Sequence, residues 1–99
     1  MKLKKDNFRR ARGGYSRMLL IKCESCGALV CKYQKDGPGP LLRMYVDRIF
    51  DSESAISNGS LNCKKCKMLL GTKITYKKEN RPAYRLYAGA IIKEIIPTN

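Results

Sequence analysis

The chain alternates hydrophobic and polar residues in short runs, a pattern typical of β-strands rather than of amphipathic helices. In the run ALVCKYQ, the side chains of Leu29, Cys31 and Tyr33 would share one face of a strand, while Val30 and Lys32 would take the other. The runs YSRMLLIK, LLRMYVDRIF and MLLGTKITY have the same character. We expect each of these four runs to form a strand.

Turn signals separate the runs. The segment KDGPGP at 35–40 predicts a loop, KKENRP at 77–82 predicts a turn, and the polar DSESAISNGS at 51–60 predicts an exposed loop. The last run, AYRLYAGAIIKEII, would form one long or two short strands. A helix over AIIKEII is the alternative, but the isoleucines favour a strand. The chain is therefore predicted to be mainly β.

Residues 1–14 differ from the rest of the chain. They carry six basic residues against the single Asp6 and end in the pair Gly13-Gly14. Such a segment repels itself and has little apolar surface to bury. We expect a flexible basic N-terminal arm over 1–14, followed by one β domain over 15–99.

No segment resembles a signal peptide, and no run approaches the roughly 18 apolar residues that a membrane-spanning helix needs. We therefore expect a cytoplasmic protein with no membrane partner. Because thiols stay reduced in that compartment, close cysteine pairs there favour metal binding over disulfides.

Charge gives the next clue. The 99 residues contain 21 Lys and Arg against 8 Asp and Glu, for a formal net charge of +13. A positive field of this size attracts polyanions, among which nucleic acids are the most abundant. A highly soluble surface with no specific partner is the alternative explanation.

Two Cys-x-x-Cys motifs, Cys23–Cys26 and Cys63–Cys66, carry the main chemical signal. Zinc prefers four thiolates at the corners of a tetrahedron, with Zn–S bonds of roughly 2.3 Å, and two such motifs supply a complete set of ligands. The chain contains no histidine, so a mixed Cys/His site is excluded. We predict small antiparallel sheets joined by a structural four-cysteine Zn²⁺ site. Iron is the alternative metal, and four reduced core cysteines or a redox pair are the alternatives without one.

Cys31 is the fifth, unpaired cysteine. Its position on the face shared with Leu29 and Tyr33 indicates a small buried residue. A reactive thiol needs a neighbouring base or cation, and the chain has no histidine to act as the base. A closed four-thiolate shell also leaves no open position for a substrate. These observations favour a protein that is not an enzyme, with catalysis by Cys31 as the alternative.

The motifs CESCGALV and LNCKKCKMLLG, with the terminal YRLYAGAIIKEI, resemble those of the β-tent superfamily, which includes Yippee-like proteins and the ligand-binding domain of cereblon. This resemblance implies that Cys23, Cys26, Cys63 and Cys66 clamp one zinc ion between two antiparallel sheets. The tryptophan cage of cereblon and the late catalytic cysteine of the related methionine sulfoxide reductases are missing from this chain. Small basic zinc-ribbon proteins are a competing resemblance.

Three basic regions are candidates for binding: the arm, the 35–48 loop and strand, and a set of basic residues and tyrosines towards the C-terminus. Arginine and lysine neutralise phosphates, and aromatic rings stack on bases. The candidate residues for nucleic-acid or anion binding are Arg9, Arg10, Arg12, Arg17, Arg43, Arg48, Lys64, Lys65, Lys77, Lys78, Arg81 and Arg85.

Two functions follow as hypotheses. The first is a zinc-stabilised module that binds nucleic acid, RNA in preference to duplex DNA, because no recognition helix is evident. The second is a β-tent protein that binds a small molecule or peptide, with Arg43 and Arg48 anchoring an anion at the 35–48 loop and strand.

Overall fold

Nine strands and one 3₁₀ turn form the described part of the computed structural model, which covers Leu3, Asp6 and residues 16–52, 55–56 (backbone only) and 59–96. The predicted arm of residues 1–14 lies outside this part, except for Leu3 and Asp6. The strands are β1 (Ser16–Cys23), β2 (Leu29–Asp36), β3 (Arg43–Tyr45), β4 (Ile49–Phe50), β5 (Ala55–Ile56), β6 (Ser60–Asn62), β7 (Leu69–Tyr76), β8 (Arg81–Leu86) and β9 (Ile91–Ile96), and the 3₁₀ turn is Val46–Arg48.

The strands form two antiparallel sheets, which confirms the mainly β prediction. The first sheet has the order β4-β2-β1-β9, and the second has the order β3-β8-β7-β6-β5. Each sheet contains one hairpin whose turn is a Cys-x-x-Cys motif, β1–β2 in the first sheet and β6–β7 in the second. No helix within the described residues is long and apolar enough to cross a membrane.

The segment LLRMYVDRIF does not form the single strand that its alternation predicts. It divides into β3, which pairs with β8 in the second sheet, and β4, which pairs with β2 in the first. The 3₁₀ turn Val46–Arg48 lies between them and carries the chain from one sheet to the other. The predicted loop 51–60 likewise contains the short strand β5 and the start of β6.

The hydrophobic core lies between the sheets. Leu19, Ile21 and Tyr33 come from the first sheet, and Met44 and Tyr84 from the second; all five are buried. The hydroxyl of Tyr33 accepts a hydrogen bond of 2.9 Å from the backbone N–H of Tyr45, so one buried polar contact also joins the sheets. Leu29, which was predicted to share the buried face of β2, lies at the end of that strand and is 36% exposed.

Ion pairs join the two sheets at the ends of β1 and β2 farthest from the Cys-x-x-Cys turns. Arg48, 0% exposed, pairs with Asp36 at 3.0 Å and with Asp6 at 2.5 Å. Arg81, also buried, pairs with Asp47 at 2.8 Å, and Asp47 in turn lies 3.5 Å from Arg48. Buried charges are tolerated in a small protein only when they are paired in this way.

Candidate metal centre and basic surface

Each Cys-x-x-Cys motif forms the turn of one hairpin. Cys23–Cys26 joins β1 to β2, and Cys63–Cys66 joins β6 to β7, so each sheet contributes one turn. Both hairpins have a register shift just before their first cysteine, between Ile21 and Lys22 in one and between Leu61 and Asn62 in the other. The two turns are therefore local repeats of one structure.

The backbone hydrogen bonds of the two turns are equivalent. In each, the N–H of the first cysteine donates to the carbonyl five residues later, and the carbonyl of that cysteine accepts from the N–H four residues later. These bonds are Cys23 N to Ala28 O (2.8 Å), Gly27 N to Cys23 O (2.8 Å), Cys63 N to Met68 O (2.8 Å) and Lys67 N to Cys63 O (2.9 Å). A tight turn of this kind directs both of its thiols to one point.

The four sulfur atoms have the arrangement that a tetrahedral metal ion requires. All four Sγ atoms lie within 4.8 Å of one another, with Cys23 to Cys66 at 3.7 Å and Cys26 to Cys63 at 3.5 Å. Metal–sulfur bonds of about 2.3 Å imply sulfur–sulfur edges of about 3.8 Å in a regular tetrahedron. A disulfide would need about 2.05 Å, and these thiols are free. The four cysteines therefore fit one metal ion.

The second turn also favours the thiolate that a metal requires. Burial opposes ionisation of the Cys63 thiol, but hydrogen bonds from the backbone N–H groups of Cys66 and Lys65 stabilise its anion, and its pKa is lowered to about 6. Cys63 is therefore mostly ionised at neutral pH, whereas burial raises the pKa of the Cys23 thiol to about 11, so that thiol must lose its proton when a metal binds.

Cys31 lies apart from this group of thiols. It is 1% exposed within the hydrophobic core, and burial raises its pKa to about 12. It is therefore a protonated, packed thiol at neutral pH.

The predicted basic residues occupy three different environments. Arg9, Arg10 and Arg12 lie outside the described residues, and Arg17 is half-buried on β1. Arg48 and Arg81 lie in the interior and are paired with carboxylates, so neither presents its charge to solvent. Exposed positions are held by Lys64, Lys65, Lys77, Lys78 and Arg85, and Arg43 is half-exposed.

A groove of about 750 Å³ runs across the face of the second sheet that points away from the core; we call it the outer groove. Arg43, Arg85, Thr72, Tyr76 and Tyr87 provide its polar and aromatic lining. Tyr84 also belongs to the predicted set of basic residues and tyrosines towards the C-terminus, but it is 1% exposed and faces the core. Thr72 was missed because only the strand register, which sequence does not give, places it opposite Arg85.

A second cavity, of about 270 Å³, lies at the 35–48 segment that the sequence marked as a possible anion site. Tyr33, Lys35, Pro38, Arg43 and Tyr45 contribute to its lining. Lys35 is 6% exposed and donates a hydrogen bond of 2.9 Å to the carbonyl of Gly37. Arg48, predicted as an anchor here, does not line this cavity.

Comparison with known proteins adds no relative: no family model matches the chain, and neither a curated protein nor a solved structure does.

Proposed function

We propose that this protein is a zinc-stabilised binding module for single-stranded nucleic acid, with RNA as its ligand, and that it has no catalytic activity. The observation that carries the proposal is the unequal pairing of charge, which leaves the second sheet and its turns with uncompensated positive side chains. The metal site forms the scaffold, and the surface of the second sheet forms the interface.

Zinc is the ion that suits the scaffold best. Four cysteine ligands form a closed shell with no position for water or substrate, which is the arrangement of structural zinc sites. A bound ion would cross-link the two hairpins and hence the two sheets, as the β-tent resemblance implies. Reduced thiols of this kind belong in a reducing compartment such as the cytoplasm.

Metal analysis of the purified protein tests this assignment. We expect one zinc per chain and loss of the fold in strong chelator, because structural zinc contributes about 10 kcal/mol or more to folding in small domains. The Cys66→Ser variant should lose the metal although Cys66 is exposed and packs little. The matched control is Cys31→Ala, which should keep it. A metal-free wild-type protein that is stable in chelator would contradict the scaffold.

The acidic groups of the described residues are mostly occupied by partners outside the outer groove. The ion pairs are Asp6, Asp36 and Asp47 with Arg48, Asp47 and Glu79 with Arg81, Asp51 with Lys32, and Glu94 with Lys22. Each of these carboxylates compensates a charge in the interior or on another part of the surface.

The second sheet and its turns carry basic residues for which the described part of the chain offers no carboxylate partner. They are Arg43, Lys64, Lys65, Lys67, Lys73, Lys77, Lys78 and Arg85. A surface with one sign of charge raises the local concentration of polyanions and speeds their association. Tyrosines among these groups favour a nucleic acid over a simple polyanion, since bases stack on aromatic rings.

Binding of a labelled single-stranded RNA at several salt concentrations tests the interface. If about four phosphates are contacted, the affinity should fall roughly fifty-fold between 50 and 200 mM salt, because counterions are released on binding. A wild-type protein that holds its metal and binds no RNA at low salt would contradict the proposal.

The contribution of the N-terminal arm needs a separate variant. Deletion of residues 1–12 would also remove Asp6, whose carboxylate pairs with the buried Arg48. Replacement of Arg9, Arg10 and Arg12 by glutamine keeps that pair while it removes three charges. We expect weaker RNA binding with unchanged stability, and unchanged binding would remove the arm from the mechanism.

A small anionic ligand is the second candidate, favoured by the cavity at the 35–48 segment and its buried Lys35. In this case Lys35 and Arg43 would provide the cationic groups. A ligand screen by thermal unfolding at high salt separates the two functions. Stabilisation that persists at high salt favours the cavity, since nucleic-acid binding is weakened there.

A further inference from the structure

Two arginines of the outer groove lie directly opposite each other on neighbouring strands. Arg43 of β3 and Arg85 of β8 are register partners, so their side chains leave the same face of the sheet. Like charges at such positions destabilise a sheet. No carboxylate of the described residues forms an ion pair with either guanidinium. An anion bound between the two would relieve this repulsion.

The two guanidinium groups differ in how firmly they are held. The Cζ atom of Arg43 lies 4.2 Å from the centre of the Tyr76 ring, and its Nη1 lies 3.5 Å from the hydroxyl of Tyr45. Stacking on Tyr76 fixes the plane of the Arg43 group in advance, which lowers the entropic cost of binding an oxyanion. Arg85 is exposed and can move onto the same anion.

Aromatic and hydroxyl groups flank the arginine pair. Thr72 is the register partner of Arg85 on β7, and its hydroxyl forms a hydrogen bond of 2.5 Å with the hydroxyl of Tyr87. This bond holds the Tyr87 ring at the edge of the groove while the side chain stays 47% exposed. A fixed, exposed ring beside a phosphate site is what an unpaired base needs for stacking.

We infer that the outer groove binds a single-stranded polynucleotide, with one phosphodiester between Arg43 and Arg85 and an adjacent base on Tyr87. This inference rests on the proposed function and gives it a specific site. A duplex does not fit the same chemistry, because its bases are stacked on one another and present no free face to Tyr87.

The affinity for labelled oligonucleotides of about eight nucleotides, measured by fluorescence anisotropy, tests the site. The variants are Arg43→Gln, Arg85→Gln and Tyr87→Leu, and the matched control is Lys93→Gln, which removes one exposed charge from β9 of the other sheet. We expect each arginine variant to weaken binding about tenfold. The slope of log affinity against log salt concentration should fall by the amount that corresponds to about one phosphate contact. The affinity of the Tyr87 variant should be about tenfold lower at every salt concentration, because the lost stacking contact is not electrostatic.

The outcomes separate the site from the function. If wild-type protein binds RNA but Arg85→Gln and Lys93→Gln lose the same small amount, the groove is wrong and the proposed function stands. If wild-type protein binds neither single-stranded RNA nor single-stranded DNA, both are wrong. Uridylate and deoxyuridylate strands of equal length show whether the 2′-hydroxyl contributes, and a larger loss for Arg85→Gln than for Lys93→Gln with either strand supports the groove. Duplex binding as tight as single-strand binding would overturn it.

A stability measurement guards against variants that simply unfold. Because Arg85 faces a like charge, Arg85→Gln should melt at a temperature equal to or above that of the wild type in low salt. Loss of affinity together with a lower melting temperature would contradict the inference, since it would mean that Arg85 supports the fold rather than a ligand.

Discussion

Lys67 has a left-handed backbone, with a φ of 67°, at the position where the first Cys-x-x-Cys turn has Gly27, with a φ of 76°. Residues with a Cβ pay about 1 kcal/mol or more for this conformation, whereas glycine does not. The bond from Lys67 Nζ to the carbonyl of Lys64 is exposed and offsets little of this cost. The second turn is therefore locally strained where the first is not.

Exchange of these residues tests the strain. Lys67→Gly should raise the free energy of unfolding by about 0.5–1 kcal/mol, because the strain it relieves exceeds the extra entropy of the unfolded chain. Gly27→Ala should lower it by about 1 kcal/mol through backbone strain alone, since no atom lies within 4 Å of the added Cβ. Lys67→Ala keeps the strain and should change little. Denaturant unfolding of the metal-loaded protein measures all three.

At this scale the sequence predicts which cysteines lie together better than it predicts which charged side chains face solvent. The Cys-x-x-Cys spacing is a local signal, so the four cysteines could be chosen without a structure. Arginines have no such local signal. Arg48 and Arg85 occur in similar strand-like runs, yet one is fully buried among carboxylates and the other is exposed. Only the fold decides between these environments.

Among the elements, β7 depends on a glycine for its contact with β8. Gly71 is buried, and a Cβ at this position would lie 2.8 Å from the carbonyl oxygen of Arg85. Backbone atoms cannot move aside as the end of a side chain can, so the two strands would have to separate.

Gly71→Ala is expected to lower the free energy of unfolding by about 1–3 kcal/mol, in the range of other overpacked sites. The matched control is Gly59→Ala, because no atom lies within 4 Å of a Cβ there. The comparison uses denaturant unfolding of both variants. Equal stability of the two would show that β7 and β8 do not approach as closely as described.

Alternation predicted the positions of the long strands β1, β2 and β7 well, although β2 has buried residues on both of its faces. It did not predict the division of LLRMYVDRIF, in which β3 and β4 belong to different sheets. Side chains alternate along both pieces, so the pattern alone cannot show that the chain changes sheet between them. The pairing partners that do show it are far away in sequence.

For the whole molecule, the proposed metal ion would tie the two sheets at one end, and ion pairs tie them at the other. The four cysteines lie at one end, and the ion pairs of Arg48 lie near Ser16 and Asp36, at the far ends of β1 and β2. Removal of one member of a buried pair leaves an uncompensated charge, which costs about 3–5 kcal/mol. The ion pairs of Arg48 should therefore contribute to the stability of the protein even when the metal is bound.

Arg48→Met tests this in the metal-loaded protein, with Lys32→Met as the control for a surface pair. We expect a loss of about 3–5 kcal/mol for the Arg48 variant, against about 0–1 kcal/mol for the exposed Lys32–Asp51 pair. Denaturant unfolding gives both values. Similar losses would mean that Asp36 finds another partner or reaches water.

The strand order also determines how the molecule divides. β3 comes from the N-terminal half of the chain but lies at the edge of the second sheet, and β9 comes from the C-terminal half but lies at the edge of the first. Each half of the chain therefore contributes one edge strand to the sheet that is formed mainly by the other half. If the chain were cut between the two Cys-x-x-Cys hairpins, the N-terminal fragment would keep β3 but lack β9, and the C-terminal fragment would keep β9 but lack β3. Neither half should form a complete sheet by itself, and fragments made separately should regain their structure only after they are mixed.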